Sequence, residues 1–272
     1  MRILVLGSDG QIGAPLTEYL KKNNHEVVEF DIYSNSQNDL REVNILDEIL
    51  PDIDFVFFLA FDVGGSTYLN KYQHTYEFLD NNIKLMSNTF DSLKKYGTNF
   101  IFASSQMSNM SYSPYGILKK LGETYTEILG GVVVKFWNVY GYEHDLDKSH
   151  VITDFILMAK NYGLIKMKTN GTEERQFLYA EDCCECLNTL MDNYDDIDRD
   201  ENLHITSFKW DNVLKIAEIV SKEYDNCNIE IANTIDLVQL DKRNEPDPYI
   251  LNFWAPKTNL KDGIIKIINN YK

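Results

Sequence analysis

Ser105, Tyr115 and Lys119 are residue types at spacings that can move a proton. Tyr115 and Lys119 stand four apart, so on a helix their side chains share one face, a turn from each other. Ser105 closes a short apolar run, Phe100-Ile101-Phe102, that reads as a buried parallel strand. The chain then passes through small and polar residues and enters a helix after Ser113-Pro114. A serine at a strand's carboxyl end, facing a tyrosine and a lysine, suits proton exchange with a substrate hydroxyl. A free tyrosine titrates at about 10, far above neutrality. A neighbouring ammonium favours the phenolate, and the serine hydroxyl orients the reacting oxygen.

If the carbon bearing that hydroxyl is oxidised as its proton leaves, a hydride acceptor is needed, and the amino terminus supplies the signature of one. Arg2-Ile3-Leu4-Val5-Leu6 reads as a strand, followed by Gly7-Ser8-Asp9-Gly10-Gln11-Ile12-Gly13 and a helix through Leu16 and Leu20. Strand, G-x-x-G-x-x-G and helix form a dinucleotide-binding pattern: Gly7, Gly10 and Gly13 allow a tight turn and close approach of a pyrophosphate. The backbone around Gln11 and Ile12 offers the helix's free N–H groups to the phosphates. The second strand, Glu26 to Asp31, ends in an acid 18 residues beyond Gly13. An acid there accepts the adenosine ribose hydroxyls and repels a 2′-phosphate, so Asp31 predicts NAD.

The remaining elements place these residues. A helix-capped connection around Asp47 to Leu50 leads to Asp54 to Ala60, a strand apolar on both faces that ends at Leu59-Ala60. Helical periodicity runs from Lys71 to Tyr96 and includes Asn81-Asn82. Gly131 to Phe136 is a fifth strand, followed by Asn138-Val139-Tyr140-Gly141. This β-α alternation predicts an α/β fold, a Rossmann-like doubly wound parallel sheet with its site at the strands' carboxyl ends. After Tyr142 the pattern changes: a helix over 151–162, short strands near 165–167 and 176–179, a cysteine-bearing helix, a strand near 202–205 and helices near 213–222 and 261–270. The expected division is a cofactor-binding region over 1–141 and about 176–208. A small α/β substrate lobe covers about 142–175 and 209–272.

Composition narrows the partners. A net charge of −16 argues against a backbone-gripping nucleic-acid binder, and no apolar run is long enough for a membrane span. Met1-Arg2 leads straight into a strand, so no signal peptide is expected. Cys183, Cys184, Cys186 and Cys227 have neither disulfide-framework nor metal-ligand spacing, so free thiols in a cytoplasmic, metal-free protein are expected.

Taken together, the chain resembles the extended short-chain dehydrogenase/reductases, in their nucleotide-sugar epimerase/dehydratase branch. The matching blocks are Gly7/Gly10/Gly13, Asp31, F-F-L-A at 57–60, Asn81-Asn82, F-A-S-S at 102–105 and Y-G-I-L-K at 115–119. K-F-W-N-V-Y-G at 135–141 and R-Q-F-L-Y-A-E-D at 175–182 follow in the same order. The resemblance implies catalysis by Ser105, Tyr115 and Lys119. It implies cofactor contacts from Gly7, Gly10, Gln11, Ile12, Gly13, Asp31, Leu59, Ala60, Asn82, Tyr115 and Lys119. It also implies a nucleotide-diphosphate sugar held by Gly64, Ser105, Asn138, Arg175 and Arg243, a homodimer, and a place in polysaccharide biosynthesis. V-G-G at 63–65 and S-H-V-I at 149–152 are similar to GDP-fucose synthases, and the first also to GDP-mannose 3,5-epimerases. That similarity offers His150 as an acid/base. Met107 stands where those enzymes carry a proton-exchanging cysteine, and Asp31 departs from the synthases' NADPH. The implied activity is epimerisation by transient oxidation of a sugar carbon. A net dehydrogenase or 4-ketoreductase is the alternative, and a non-catalytic NAD-sensing protein is the alternative of another class.

Overall fold

The computed structural model describes residues 1–143, 145–236 and 244–271. Six strands form one parallel sheet in the order β2-β1-β3-β4-β5-β9. They are β1 (Arg2–Leu6), β2 (Glu26–Phe30), β3 (Phe55–Phe58), β4 (Asn99–Ser105), β5 (Val132–Phe136) and β9 (Leu203–Ile205). Alternation along each strand splits the core in two. Ile3, Val5, Phe57, Ile101 and Ala103 face one side, against α1 (Gly13–Lys22) and α6 (Ala180–Asp192). Leu4, Leu6, Phe58, Phe100 and Phe102 face the other, against α3 (Tyr76–Tyr96) and α4 (Pro114–Ile128). The three cysteines of α6 are fully buried in the first layer, as free thiols.

The chain leaves β1 for β2 at the edge, then returns past β1 to β3. This reversal of strand order opens a crevice above the carboxyl ends of β1 and β3, where doubly wound sheets take ligands.

Several elements depart from the expected pattern. The connection from β2 to β3 is turns and one 3₁₀ turn, Leu50–Asp52, instead of a helix. The long helix over 71–96 is two, α2 (Ser66–Tyr72) and α3, because Thr75 starts a new N-terminus by accepting the Phe78 N–H at 3.2 Å.

After β5 the chain leaves the main sheet. β6 (Asn138–Tyr140), β8 (Glu174–Tyr179) and β10 (Trp210–Asn212) form a second sheet in the order β10-β8-β6. β7 (Leu164–Lys166) pairs with β11 (Asn228–Glu230). α5 (Val151–Tyr162), α7 (Val213–Ser221) and α8 (Leu260–Tyr271) enclose a third core around Ile156, Ile216 and Ile264. Among the described residues no helix is long and apolar enough to cross a membrane.

Candidate active site

A cleft of about 1340 Å³ runs from the glycine loop, past the ends of β3 and β4, to the second sheet. Its first wall is a cradle that side chains would fill. Gly7 has φ +87°, and a Cβ there would stand 2.7 Å from the Ala60 nitrogen. A Cβ on Gly13 would stand 2.8 Å from the Gly7 carbonyl carbon and closer to its oxygen. Gly10, Gln11, Ile12, Leu59 and Ala60 line the same wall. The side-chain nitrogen of Gln11 and the hydroxyl of Ser8 are buried without a partner among the described residues. Asp31 also lines the cleft and braces the loop: its carboxylate accepts from the N–H groups of Asp9 (3.0 Å) and Tyr33 (2.9 Å). A pinched backbone at a helix start, unpaired donors and an acid on the next strand match a dinucleotide's pyrophosphate and ribose.

The expected proton-transfer trio comes together on the floor. Ser105 ends β4 in extended conformation, and its hydroxyl accepts from the Met107 N–H at 3.1 Å. The turn that follows lies against the start of α4, since a Cβ on Gly116 would meet the carbonyl oxygens of Met107 and Met110. Glycine beside Tyr115 thus permits the approach that brings Tyr115 to the same stretch of cleft as Ser105. Burial pushes the Tyr115 hydroxyl up to about 12, against the lowering effect of Ser105. One turn on, Lys119 donates to the Ala103 carbonyl at 2.7 Å. Burial drives its ammonium down to about 7, opposed by the nearby carboxylate of Glu123. Ser104 points the other way and donates to Glu123 at 2.6 Å. That carboxylate also meets Lys120 at 3.0 Å and Lys135 at 3.5 Å. Burial raises the Glu123 carboxyl, but these partners more than offset it and hold it low.

The third wall carries the expected substrate residues. Gly64, Asn138, Arg175 and His150 all line it. The Nδ1 atom of His150 is 2.6 Å from the buried Glu143 carboxylate, which also accepts the His150 backbone N–H at 3.0 Å. Burial opposes ionisation of Glu143, yet the hydrogen bond and charge of His150 hold its carboxyl below the usual value. With Nδ1 turned to a carboxylate, Nε2 is the atom left to serve the cleft. Arg175 pairs with Asp236 at 2.5 Å.

One expected residue falls elsewhere. Asn82 is fully buried outside the cleft lining. Its amide accepts from the Asp62 N–H at 2.8 Å and donates to the carbonyls of Asp62 and Phe78. It therefore fixes the loop after β3, and Asn81 faces the cleft in its stead. Successive helical residues diverge by about 100°, so of two adjacent asparagines only one can face a given wall. Arg243 lies outside the described residues.

Other lining residues were not anticipated. Asp39 and Arg41 form an ion pair whose guanidinium also donates to Asn81 at 3.0 Å, walling the cleft beyond Asp31. Phe61 covers Lys119, and Glu143 backs His150. Helix phase could have singled out Asn81; the rest come from irregular loops with no periodic signal. Among the described residues no cluster of ligating side chains could hold a metal.

A model of the NAD dependent epimerase/dehydratase family matches residues 3–206. UDP-glucuronic acid decarboxylase 1 of Arabidopsis thaliana is 23% identical over 316 residues, covering 100% of this chain and 70% of that protein. GDP-L-fucose synthase of Sinorhizobium fredii is 27% identical over 142 residues, 49% of this chain and 44% of its own length. UDP-glucose 4-epimerase of Thermotoga maritima, solved with UDP-glucose, superposes with a TM-score of 0.84 at 19% identity. That match covers 100% of this chain and 98% of the epimerase, and it bears on the fold.

Proposed function

The chain belongs to the NAD dependent epimerase/dehydratase family, and on that premise we propose that it is a nucleotide-sugar epimerase. It would invert one sugar carbon by oxidising and re-reducing it, with no net consumption of cofactor. The observation that carries this reading is the gathering of Ser105, Tyr115 and buried Lys119 at the floor of a cleft continuous with the glycine cradle. Bound NAD supplies a hydride acceptor and donor. The glycine loop and Gln11 hold its pyrophosphate, Asp31 its adenosine ribose, and Leu59 and Ala60 border the path to Tyr115. Tyr115 takes the proton of the sugar hydroxyl and later returns it. Lys119 stabilises the phenolate that this requires, and Ser105 holds the reacting oxygen. Burial favours neutral Tyr115, so the positive charge of bound NAD's nicotinamide ring would be what brings the phenol within reach of neutral pH.

In this reading residues about 142–175 and 209–272, with α5, α7, α8 and the β7–β11 pair, form the substrate lobe, and residues 1–141 with about 176–208 carry the cofactor. Arg175 exchanges Asp236 for the diphosphate of the sugar nucleotide, a bidentate match that suits an acidic protein. Arg243 is assigned the same role from sequence. Gly64 and Asn138 border the sugar. The exposed stripe Ile117, Leu121, Tyr125 and Ile128 on α4, with Ile83 of α3, supports pairing of two copies through these helices.

The Glu143–His150 pair favours a second reading, in which a proton also moves at the carbon beside the transient ketone. A carboxylate fixes the imidazole's tautomer, so His150 can exchange that proton through Nε2.

The test is a panel of UDP-, GDP-, dTDP- and CDP-sugars incubated with NAD-loaded protein, followed by NMR in deuterated water and absorbance at 340 nm. Epimerisation gives an isomer without NADH accumulation. Stoichiometric NADH refutes it in favour of net dehydrogenation, and loss of carbon dioxide or water assigns decarboxylation or dehydration. Solvent deuterium in the product, abolished by His150→Asn, supports the second reading; its absence rejects that reading.

A further inference from the structure

Lys119 lies beneath an aromatic cover that the proton-transfer scheme does not use. Its Nζ is 3.7 Å from the centroid of the Phe61 ring, with Phe102 at 5.2 Å and Tyr115 at 5.8 Å. The Phe61 ring also meets Tyr115 edge-on, at 5.7 Å and 79°. We propose that Phe61 is a positioning residue: its face caps the Lys119 ammonium on the cleft side, keeps it charged, and fixes it behind Tyr115.

An ammonium carries three N–H donors, and the Ala103 carbonyl takes one of them. In a buried site the others need an electron-rich surface, which ring faces provide. The arrangement is also held rigidly. Asp62, next to Phe61, is fixed through its backbone by Asn82, and its carboxylate accepts from Tyr68 at 2.6 Å and Lys148 at 3.3 Å. Phe61 is therefore held at the end of β3 by a network that spans both walls of the cleft.

Among the described residues, the other groups facing Lys119 are few. From its own helix come Tyr115 and Glu123, one turn to either side. Glu123 is shared with Ser104, Lys120 and Lys135 of β5, so its charge is not reserved for Lys119. β4 contributes the Ala103 carbonyl and the Phe102 ring. Asp62 is committed to Tyr68 and Lys148. Phe61 and Lys119 both line the cleft, so the ring stands over the ammonium at the place where a ligand would approach it.

The inference deepens the reading of Lys119 as the partner of Tyr115, but its test needs neither sugar nor NAD. Protein labelled with ¹⁵N-lysine is titrated by NMR, with the Lys119 amine assigned by its loss in Lys119→Arg. Phe61→Leu keeps the apolar volume and removes the ring. Its Lys119 midpoint should fall by roughly half to one and a half pH units, the range a cation–π contact supplies. Phe61→Tyr keeps the face and should leave the midpoint near wild type. Should Phe61→Leu not fold, Phe61→Met, flexible and ringless, takes its place with the same expected fall. In a turning-over enzyme the alkaline limb of the pH–rate profile should move with the amine. An unmoved midpoint in the ringless variant, or an equal fall in Phe61→Tyr, overturns the proposal. Failure of the epimerase reading would appear in the sugar panel and leave this titration unaffected.

Discussion

Substituting Gly13 separates the cost of a clash to folding from its cost to binding. An alanine there puts a methyl 2.8 Å from the Gly7 carbonyl carbon, closer to its oxygen, and 3.0 Å from the Ser8 Cα. Carbon–oxygen contacts prefer about 3.3 Å or more, so the nearer Gly7 oxygen forces loop and helix to part by more than about 1 Å. Overpacking of this kind costs about 1–3 kcal/mol, partly offset by the better helix propensity of alanine, about 1 kcal/mol. At about 2–4 °C per kcal/mol in a chain of this size, Gly13→Ala should lose only a few degrees of Tm. NAD binding should suffer more. The displaced loop supplies N–H groups to the pyrophosphate, and each charge-assisted hydrogen bond lost costs about 1.5–3 kcal/mol, roughly 10- to 100-fold in Kd. Calorimetric titration of NAD into nucleotide-stripped protein reads this directly. Gly97→Ala is the control. Gly97 ends α3 at φ +65°, with nothing within 4 Å of an added Cβ. It should cost about 1–2 kcal/mol of stability through left-handed strain and leave NAD affinity unchanged. If Gly13→Ala bound NAD as wild type does, the cradle would not be the pyrophosphate site.

Three further outcomes follow from the charges and surfaces. His204, buried beside Lys135 and accepting from the Trp137 indole at 3.1 Å, has its imidazole pushed down to about 4 by burial and then by that lysine. Between its ordinary value of 6.5 and 4 the unfolded chain binds a proton that the fold refuses. Urea stability should therefore drop by about 3 kcal/mol as pH falls through that window. Glu123 and Glu143, both held below 4.5, should withdraw further stability at lower pH. Arg175→Gln should raise the KM of the sugar nucleotide about 10-fold or more, with a smaller change in kcat, because the diphosphate is bound alike in ground and transition states. Ile117→Glu with Ile128→Glu should turn a dimer into a monomer in light scattering, with Tm little changed; a wild-type monomer would refute the pairing face.

The parts of the site legible in the sequence are those whose spacing is set by one regular element. Strand, glycine loop and helix at 2–22 announce themselves through periodicity and a backbone no other residue can follow. Tyr115 and Lys119 meet because four residues make a helical turn. Ser105 and Ser104 were separable in sequence only by their distance from Phe102; the structure gives the reason, since alternation turns Ser104 to Glu123 on α4. What escaped depends on contacts between distant loops. Phe61 reaches Lys119, Glu143 reaches His150 and Arg41 reaches Asn81 across irregular chain whose path no local pattern encodes. The break at Thr75 had a local signal, a threonine N-cap, which apolar periodicity continuing on both sides concealed. β10 and β11, three residues each, are too short for alternation to register.

The central claim is that Tyr115 carries the substrate proton in a cycle that regenerates its cofactor. Its most direct test is Tyr115→Phe on whichever nucleotide sugar the wild type converts, with NAD affinity measured in parallel. The account predicts a fall in kcat of about 10²–10⁴ with NAD binding nearly unchanged, since the ring still fills its site and only the hydroxyl is gone. Turnover at the wild-type rate would contradict it.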